Sequence, residues 1–500
     1  MSSVPAIRVR TGNARSIDRA GDFVLYWMIA SRRTRHNFAL DRAVEHARVL
    51  HKPLLVLEPL RAGYRFASDR LHRFVVQGMA DNAARFDGTG ILYHPYVEPS
   101  AGAGKGLLAA LAARAAVVVT DDYPAFFLPR MVKAAAAQLP VLLEIVDSIG
   151  LLPMRAADRP YTTAYSFRFF LQKNLKEHIA HRPRPDPLKG LDLPPLAALP
   201  PGIAARWPRA SAALLAGDRA ALAALPLDHA VPESPIHGGA AAGEQRLREF
   251  LKTGLPLYAT ERNDPDADAA SGLSPYLHFG HTSAHEVFTA LMKREGWRPE
   301  KISGVVNGQR EGWWGASREA ESFLDELITW RELGLVMCSH REDYMSYDSL
   351  PDWALKTLAK HEGDTRPVLY SLEQLEAAKT HDPIWNAAQR QLVAEGRMHN
   401  YLRMLWGKKV LEWSKTPREA VDRLIFLNDK YALDGRDPNS YSGIFWVVGR
   451  YDRAWGPERP IYGTIRYMSS DNTAKKLKLK SYLARWSGKA TQGDLLSAGR

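Results

Sequence analysis

The chain has 500 residues, 46% of them hydrophobic and 24% charged, with a formal net charge of +12. That length suits two or three domains with a large buried core, and the composition is that of a soluble globular protein. No apolar run approaches the ~20 residues a membrane span needs. The first residues lack the basic, apolar, small-residue order of a secretion signal, and one cysteine, Cys338, excludes a disulfide framework and a multi-cysteine metal site.

Residues 1–20 read as a loose polar arm. From Asp22 the pattern alternates: a buried strand at Phe23–Met28, then a helix with Leu40, Ala43, Val44, Ala47 and Leu50 at helical spacing. Strands are predicted at Pro53–Leu57, Ile91–Tyr93, Val117–Thr120 and Val141–Ile145, with helices near 68–86, 105–114 and 126–138. Apolar strands alternating with amphipathic helices imply a doubly wound parallel sheet covered on both faces, an α/β domain over 20–155. Gly102-Ala-Gly-Lys-Gly106 resembles a phosphate loop only superficially. It lacks the Ser or Thr after the lysine, and Pro99 occupies the place of the first glycine, so it reads as a turn into a helix.

Residues 182–208 are dense in proline, including Pro194-Pro195 and Pro200-Pro201, and cannot continue a helix. A linker with short helices is expected over 156–244. Beyond it the strand signal disappears, which predicts an all-helical domain over 245–482 and a flexible tail over 483–500.

In the helical half, Ser274-Pro275 has the form of a helix start, with a hydroxyl at the cap and proline at the first turn. The free N–H groups of such a start suit a phosphate, though by itself a capped helix without ligand is the better reading. Leu402, Trp406, Val410 and Trp413 share one helix face beside a polar stripe of His399 and Arg403, a pattern also ordinary for a core. Glu326 and Trp330 lie four apart and point to one side of a helix. Read alone, Trp330 fits the core as well, because Phe323, Leu327 and Leu333 share its stripe. The positive charge and the 13 tryptophans favour a polyanionic partner and flat, stacking ligands.

Several of these segments occur in one order. Ser271-Gly-Leu-Ser-Pro-Tyr-Leu-His-Phe-Gly280, Glu326–Glu332, Gly396–Met404, Leu427–Tyr431 and Asp434-Gly-Arg-Asp-Pro-Asn439 together resemble the photolyase/cryptochrome family. The last two, with Gly463–Met468 and Ser31–Asn37, resemble its class II cyclobutane-pyrimidine-dimer photolyase branch. The resemblance spans about residues 20–480.

That resemblance implies a Rossmann-like N-terminal domain, a long linker and a helical domain that binds FAD in a bent form. Cofactor contacts would come from Tyr258, Ser271, Gly272, Leu273, Ser274, Arg403, Asn428, Asp434 and Asp437. Arg403 and Asp434 would form the ion pair beside the flavin ring, although a purely structural salt bridge is equally open from the residues. Asn428 would face the flavin N5. Trp330 and Trp446 would clamp a flipped pyrimidine dimer, with Met404 lining the pocket and Glu326 stabilising the dimer radical anion. Trp385, Trp406 and Trp413 would carry electrons to the flavin; the last two are seven residues apart, roughly 10 Å of rise along one helix face.

Cations for DNA are expected among Arg262, Arg450, Arg453, Arg466 and the lysines of 475–480. Gly272 stands where the branch often carries Asn or Arg, which puts one substrate contact in doubt. The implied activity is light-driven repair of dimers in DNA by reduced FAD, with no metal. An antenna chromophore of deazaflavin or folate type in the N-terminal domain is further implied. A cytoplasmic, DNA-associated monomer is expected. A cryptochrome-like photosensor and a non-catalytic DNA-binding flavoprotein are the alternatives.

Overall fold

The computed structural model describes residues 2–488. Six strands form one sheet: β1 (Val9–Thr11), β2 (Phe23–Trp27), β3 (Leu54–Leu60), β4 (Leu92–Val97), β5 (Ala115–Asp121) and β6 (Leu143–Val146). Their order is β1-β6-β5-β2-β3-β4, with every pairing parallel except that of β1 with β6. The unbroken apolar run of β2 has a simple cause. Val24 and Tyr26 enter the core on one side of the sheet, while Phe23, Leu25 and Trp27 enter the core on the other. Helices α1 (Phe38–Leu50), α2 (Asp69–Phe86), α3 (Leu107–Ala112) and α4 (Leu128–Ala136) alternate with the strands as the periodicity predicts.

The N-terminal arm is not loose. Val9, Arg10 and Thr11 pair with Val146, Ile145 and Glu144, and the buried Arg8 donates to the carbonyl of Leu151 at 2.7 Å. A three-residue edge strand is too short to show periodicity, and an arginine written among polar residues reads as solvated. The connector also packs: Leu188, Leu199 and Trp207 are buried against the two faces of the α/β domain. Helix α5 (Ala164–Ile179) precedes it.

Among the described residues no strand follows β6. Helices that matter for the site are α6 (Ser274–His278), α7 (Arg331–His340), α8 (Pro383–Glu395), α9 (Asn400–Glu412), α10 (Pro417–Tyr431) and α11 (Pro438–Val447). A further helix, Lys480–Arg485, runs into the predicted tail, whose residues 489–500 lie outside the described residues.

The halves interlock through buried polar contacts. The Glu332 carboxylate accepts from the N–H groups of Leu151 at 2.6 Å and Leu152 at 3.0 Å, and Arg33 donates to Gly280 O at 3.0 Å. Gly280 is required: its φ is +73°, and a Cβ there would lie 1.8 Å from Ala30 O. Arg70, on α2, donates to Leu392 O at 3.2 Å, to Tyr431 O at 2.6 Å and to Val393 O, thereby finishing the carboxyl ends of α8 and α10.

Candidate active site

A cavity of about 610 Å³ lies within the helical half. Tyr258, Ser271, Gly272, Ser274, Arg403, Asp434 and Asp437 all line it, although they are spread over nearly 180 positions of sequence. Leu273 does not; it is buried in the core behind the turn. The predicted cap at Ser274 is absent. Helix α6 begins at Ser274 itself, whose hydroxyl instead donates to Asp434 at 2.6 Å. Asp434 also holds Arg403 at 3.4 Å, so one carboxylate fixes both groups on the cavity wall. The turn before α6 is pinned by Arg246, which donates to Ser271 O at 2.7 Å and Ala270 O at 2.8 Å. Gly272 takes a φ of +66° in that turn.

Asp437 caps α11 by accepting from Asn439 N at 2.8 Å. Burial works against its charge, but the His278 hydrogen bond, Arg331 and the Asn439 N–H hold its carboxyl below the usual range. Asn428 stands outside the cavity lining. Its amide donates to Asp429 at 3.1 Å and to Ser440 Oγ at 2.8 Å, and Ser440 faces the neighbouring cavity. Sequence reasoning missed His399 as a lining residue. Both its ring nitrogens are buried without a partner, and burial first of all lowers its pKa to about 4, so it is a neutral imidazole. Nothing in a lone histidine of a Gly-Arg-Met-His-Asn run announces that.

These features fit a flavin dinucleotide. A glycine turn leaves its backbone open, and Arg246 and Arg397 line the wall where phosphates would lie, Arg397 being held by Glu395 at 3.0 Å.

A second and larger cavity, about 1560 Å³, opens beside the first. Arg262, Glu326, Asn400, Arg403 and Asn439 line both. Trp330, Met404, Trp446 and Arg466 line the larger one. Glu326 and Trp330 belong to a π-helical segment, Asp325–Trp330, inserted between Arg318–Leu324 and α7. Such a bulge re-aims side chains, and it directs both toward the cavity. Burial raises the Glu326 pKa, with Arg262 opposing. Arg262 is therefore not a free DNA contact: it forms an ion pair with Glu326 in the shared wall. Arg450 is also excluded, being buried against the Phe445 ring at 3.8 Å and donating to Tyr344 O at 2.9 Å. Arg453, Arg466 and Lys476 do reach the mouth. Arg466 stacks over Trp446 and Trp455, at 5.6 and 4.1 Å from their ring centroids.

The three tryptophans are buried and in contact, but not in the expected sequence. Trp385 and Trp406 are parallel with centroids 6.3 Å apart, and Trp385 meets Trp413 at 5.6 Å. Trp385 is thus the middle ring, and the path between Trp406 and Trp413 crosses to α8 instead of following α9. Asp382 sets that ring by accepting from Ile384 N and Trp385 N, each at 3.0 Å. The Trp385 indole N–H donates to Trp406 O at 3.0 Å.

A third, small cavity of about 100 Å³ lies where β2, β3 and β5 end, walled by Tyr64, Tyr123, Phe126 and Phe127. Tyr123 donates to Asp437 at 3.1 Å, which joins this cavity to the first.

No family model matches the chain. A deoxyribodipyrimidine photo-lyase of Methanothermobacter thermautotrophicus is 34% identical over 493 residues, covering 97% of this chain and 99% of that one. The chain belongs to the photolyase/cryptochrome family. The photolyase of Potorous tridactylus is 32% identical over 483 residues, covering 95% and 83%. A bacterial class III photolyase from Agrobacterium tumefaciens shares the fold, with a TM-score of 0.65 at 18% identity over 97% of this chain and 93% of that one. The photolyase/cryptochrome fold accounts for the two-part architecture described above. Among the described residues no helix is long and apolar enough to cross a membrane.

Proposed function

We propose that this chain is a light-driven DNA lyase of the class II branch that splits cyclobutane pyrimidine dimers. One observation carries the reading: the two cavities share a wall, so that Glu326 and Arg403 face both. A bound, reduced FAD would supply an excited electron and take it back after ring splitting, without net redox change.

The residues do the rest. Arg403 and Asp434 present a fixed charge pair to the flavin ring, while the Ser271–Ser274 turn and Arg246 hold the phosphates. Trp330 and Trp446 offer flat faces to a flipped dimer, and Met404 lines the same cavity. Glu326, kept in place by its ion pair with Arg262, faces the base edges of the dimer. The contacting tryptophans would conduct an electron inward to restore reduced flavin, with Trp385 between the other two.

An antenna chromophore of deazaflavin or folate type would sit at the strand ends, where the aromatic cavity of about 100 Å³ must widen to admit it. The expected setting is cytoplasmic and DNA-associated, with the protein acting as a monomer.

The test is direct. The purified protein should carry flavin and, when reduced and illuminated, should restore thymine absorbance in an oligonucleotide containing a dimer. Light-dependent flavin reduction without that recovery would favour a cryptochrome-like sensor, which the intact tryptophan array equally allows. DNA binding with neither response would leave a non-catalytic flavoprotein.

A further inference from the structure

Three of the most exposed large apolar side chains lie on neighbouring elements beside the larger cavity. Tyr165 is 62% exposed and Phe169 44%, one turn apart on α5, and Val305 is 64% exposed in the loop packed along that helix. The loop is built, not loose. Gln172 accepts from Asn307 N at 3.1 Å and Gly308 N at 2.8 Å and donates to Gln309 O at 2.9 Å, while Arg168 donates to Gly308 O at 3.2 Å. Tyr165 lies over Gly308, where a Cβ would meet its ring at 2.9 Å, and it lines the cavity mouth. Exposed aromatic side chains clustered on one helix face mark a contact surface.

Charge decides what the surface contacts. Three arginines on this side are already matched, Arg168 to Asp325 at 2.7 Å, Arg310 to Asp325 at 3.9 Å and Arg318 to Glu311 at 3.7 Å, while Lys173 is exposed two turns beyond Tyr165. At the same mouth Arg453 and Arg459 lie over the Trp455 and Tyr467 rings, with their charge free for phosphate. The mouth therefore has a stretch for phosphates and a stretch for flat apolar faces. Extruding a fused pyrimidine pair leaves the bases that faced it with neither pairing partners nor a filled stack. Bases flanking the lesion keep their stacking neighbours.

We infer that Tyr165, with Phe169 one turn along the same helix, is a stacking platform for the unpaired bases of the strand opposite the lesion. This rests on the repair reading above and adds a second-strand contact to it.

The experiment compares Tyr165→Ala with wild type on a dimer-containing oligonucleotide, single-stranded and annealed to its complement. The variant is expected to weaken duplex binding about 5- to 150-fold relative to single-strand binding, the equivalent of 1–3 kcal/mol for one stacked base. Tyr165→Trp should retain the wild-type ratio. 2-Aminopurine placed opposite the dimer should brighten in the Tyr165→Ala complex, because its quenching neighbour is gone. Equal losses on both substrates would overturn the proposal by assigning the contact to the lesion strand. An unchanged ratio with no loss would also overturn it, and a concurrent change in sedimentation would mark the face as a contact between copies. If wild type does not prefer dimer-containing over undamaged single strands, the repair reading itself fails, a result distinct from either.

Discussion

Lys408→Met should remove a pH dependence of stability that the wild-type chain carries. Lys408 is wholly buried; its ammonium donates to Val447 O at 2.5 Å and lies 5.0 Å from the Trp446 ring centroid. Burial, opposed mainly by Asp452, lowers its pKa from 10.5 to about 7. In the unfolded chain the amine keeps its ordinary value. Between about pH 7 and 10.5 the unfolded state therefore holds a proton that the folded state has lost, and stability rises with pH across that window. Below pH 7 both states are protonated, the slope vanishes and the full penalty is in place.

A displacement of three to four units at ~1.36 kcal/mol each amounts to on the order of 4–5 kcal/mol over the window. Methionine forfeits one hydrogen bond, about 1 kcal/mol, but carries no charge to desolvate. The variant should be more stable than wild type at pH 6, and the advantage should shrink or reverse by pH 10. Urea unfolding of both proteins, followed by tryptophan fluorescence at several pH values, measures the difference. Parallel curves from pH 6 to 10 would refute the assignment of the titrating charge to Lys408.

Trp385→Phe should slow light-driven reduction of oxidised flavin, because the ring bridging Trp406 and Trp413 is gone, yet leave repair by chemically pre-reduced protein; transient absorption and a repair assay separate the two. Gly272→Ala forces a side chain into φ +66° with its Cβ 2.8 Å from Arg246 Nε, at a cost of about 1–2 kcal/mol, and flavin retention should fall on the order of 5–30-fold in a dissociation assay. Asp434→Ala strips both Arg403 and Ser274 of their shared acceptor, and the protein should purify with little flavin, as absorbance will show; Asp434→Asn should retain more.

Much of this architecture was legible because its signals are local and repeated. The strands that bury both faces read as apolar runs, and the helices between them as amphipathic stripes. The convergence of Tyr258, Ser271, Gly272, Ser274, Arg403, Asp434 and Asp437 came from ordered motifs, since no spacing rule brings residues so far apart together. What stayed hidden depends on tertiary surroundings. Arg262 reads as a surface cation until Glu326 is placed beside it. Trp385 reads as a neighbour of the other tryptophans, but that it stands between them depends on how α8 crosses α9. Lys408 sits in a Gly-Lys-Lys run that suggests solvent, and the adjacent Lys409 keeps its own ion pair with Glu412 at 2.9 Å. The Ser274 hydroxyl was assigned to its own helix, yet a carboxylate 160 positions away is the stronger acceptor.

The guanidinium of Arg70 reaches from the α/β half to backbone oxygens at the ends of the two helices that carry Trp385 and Asn428. Deleting the N-terminal half would remove their side-chain donor and leave those carbonyls to water. The N-terminal half therefore also completes two helix ends of the helical half. Shuffling either half onto an unrelated partner would require that lost arginine to be supplied anew.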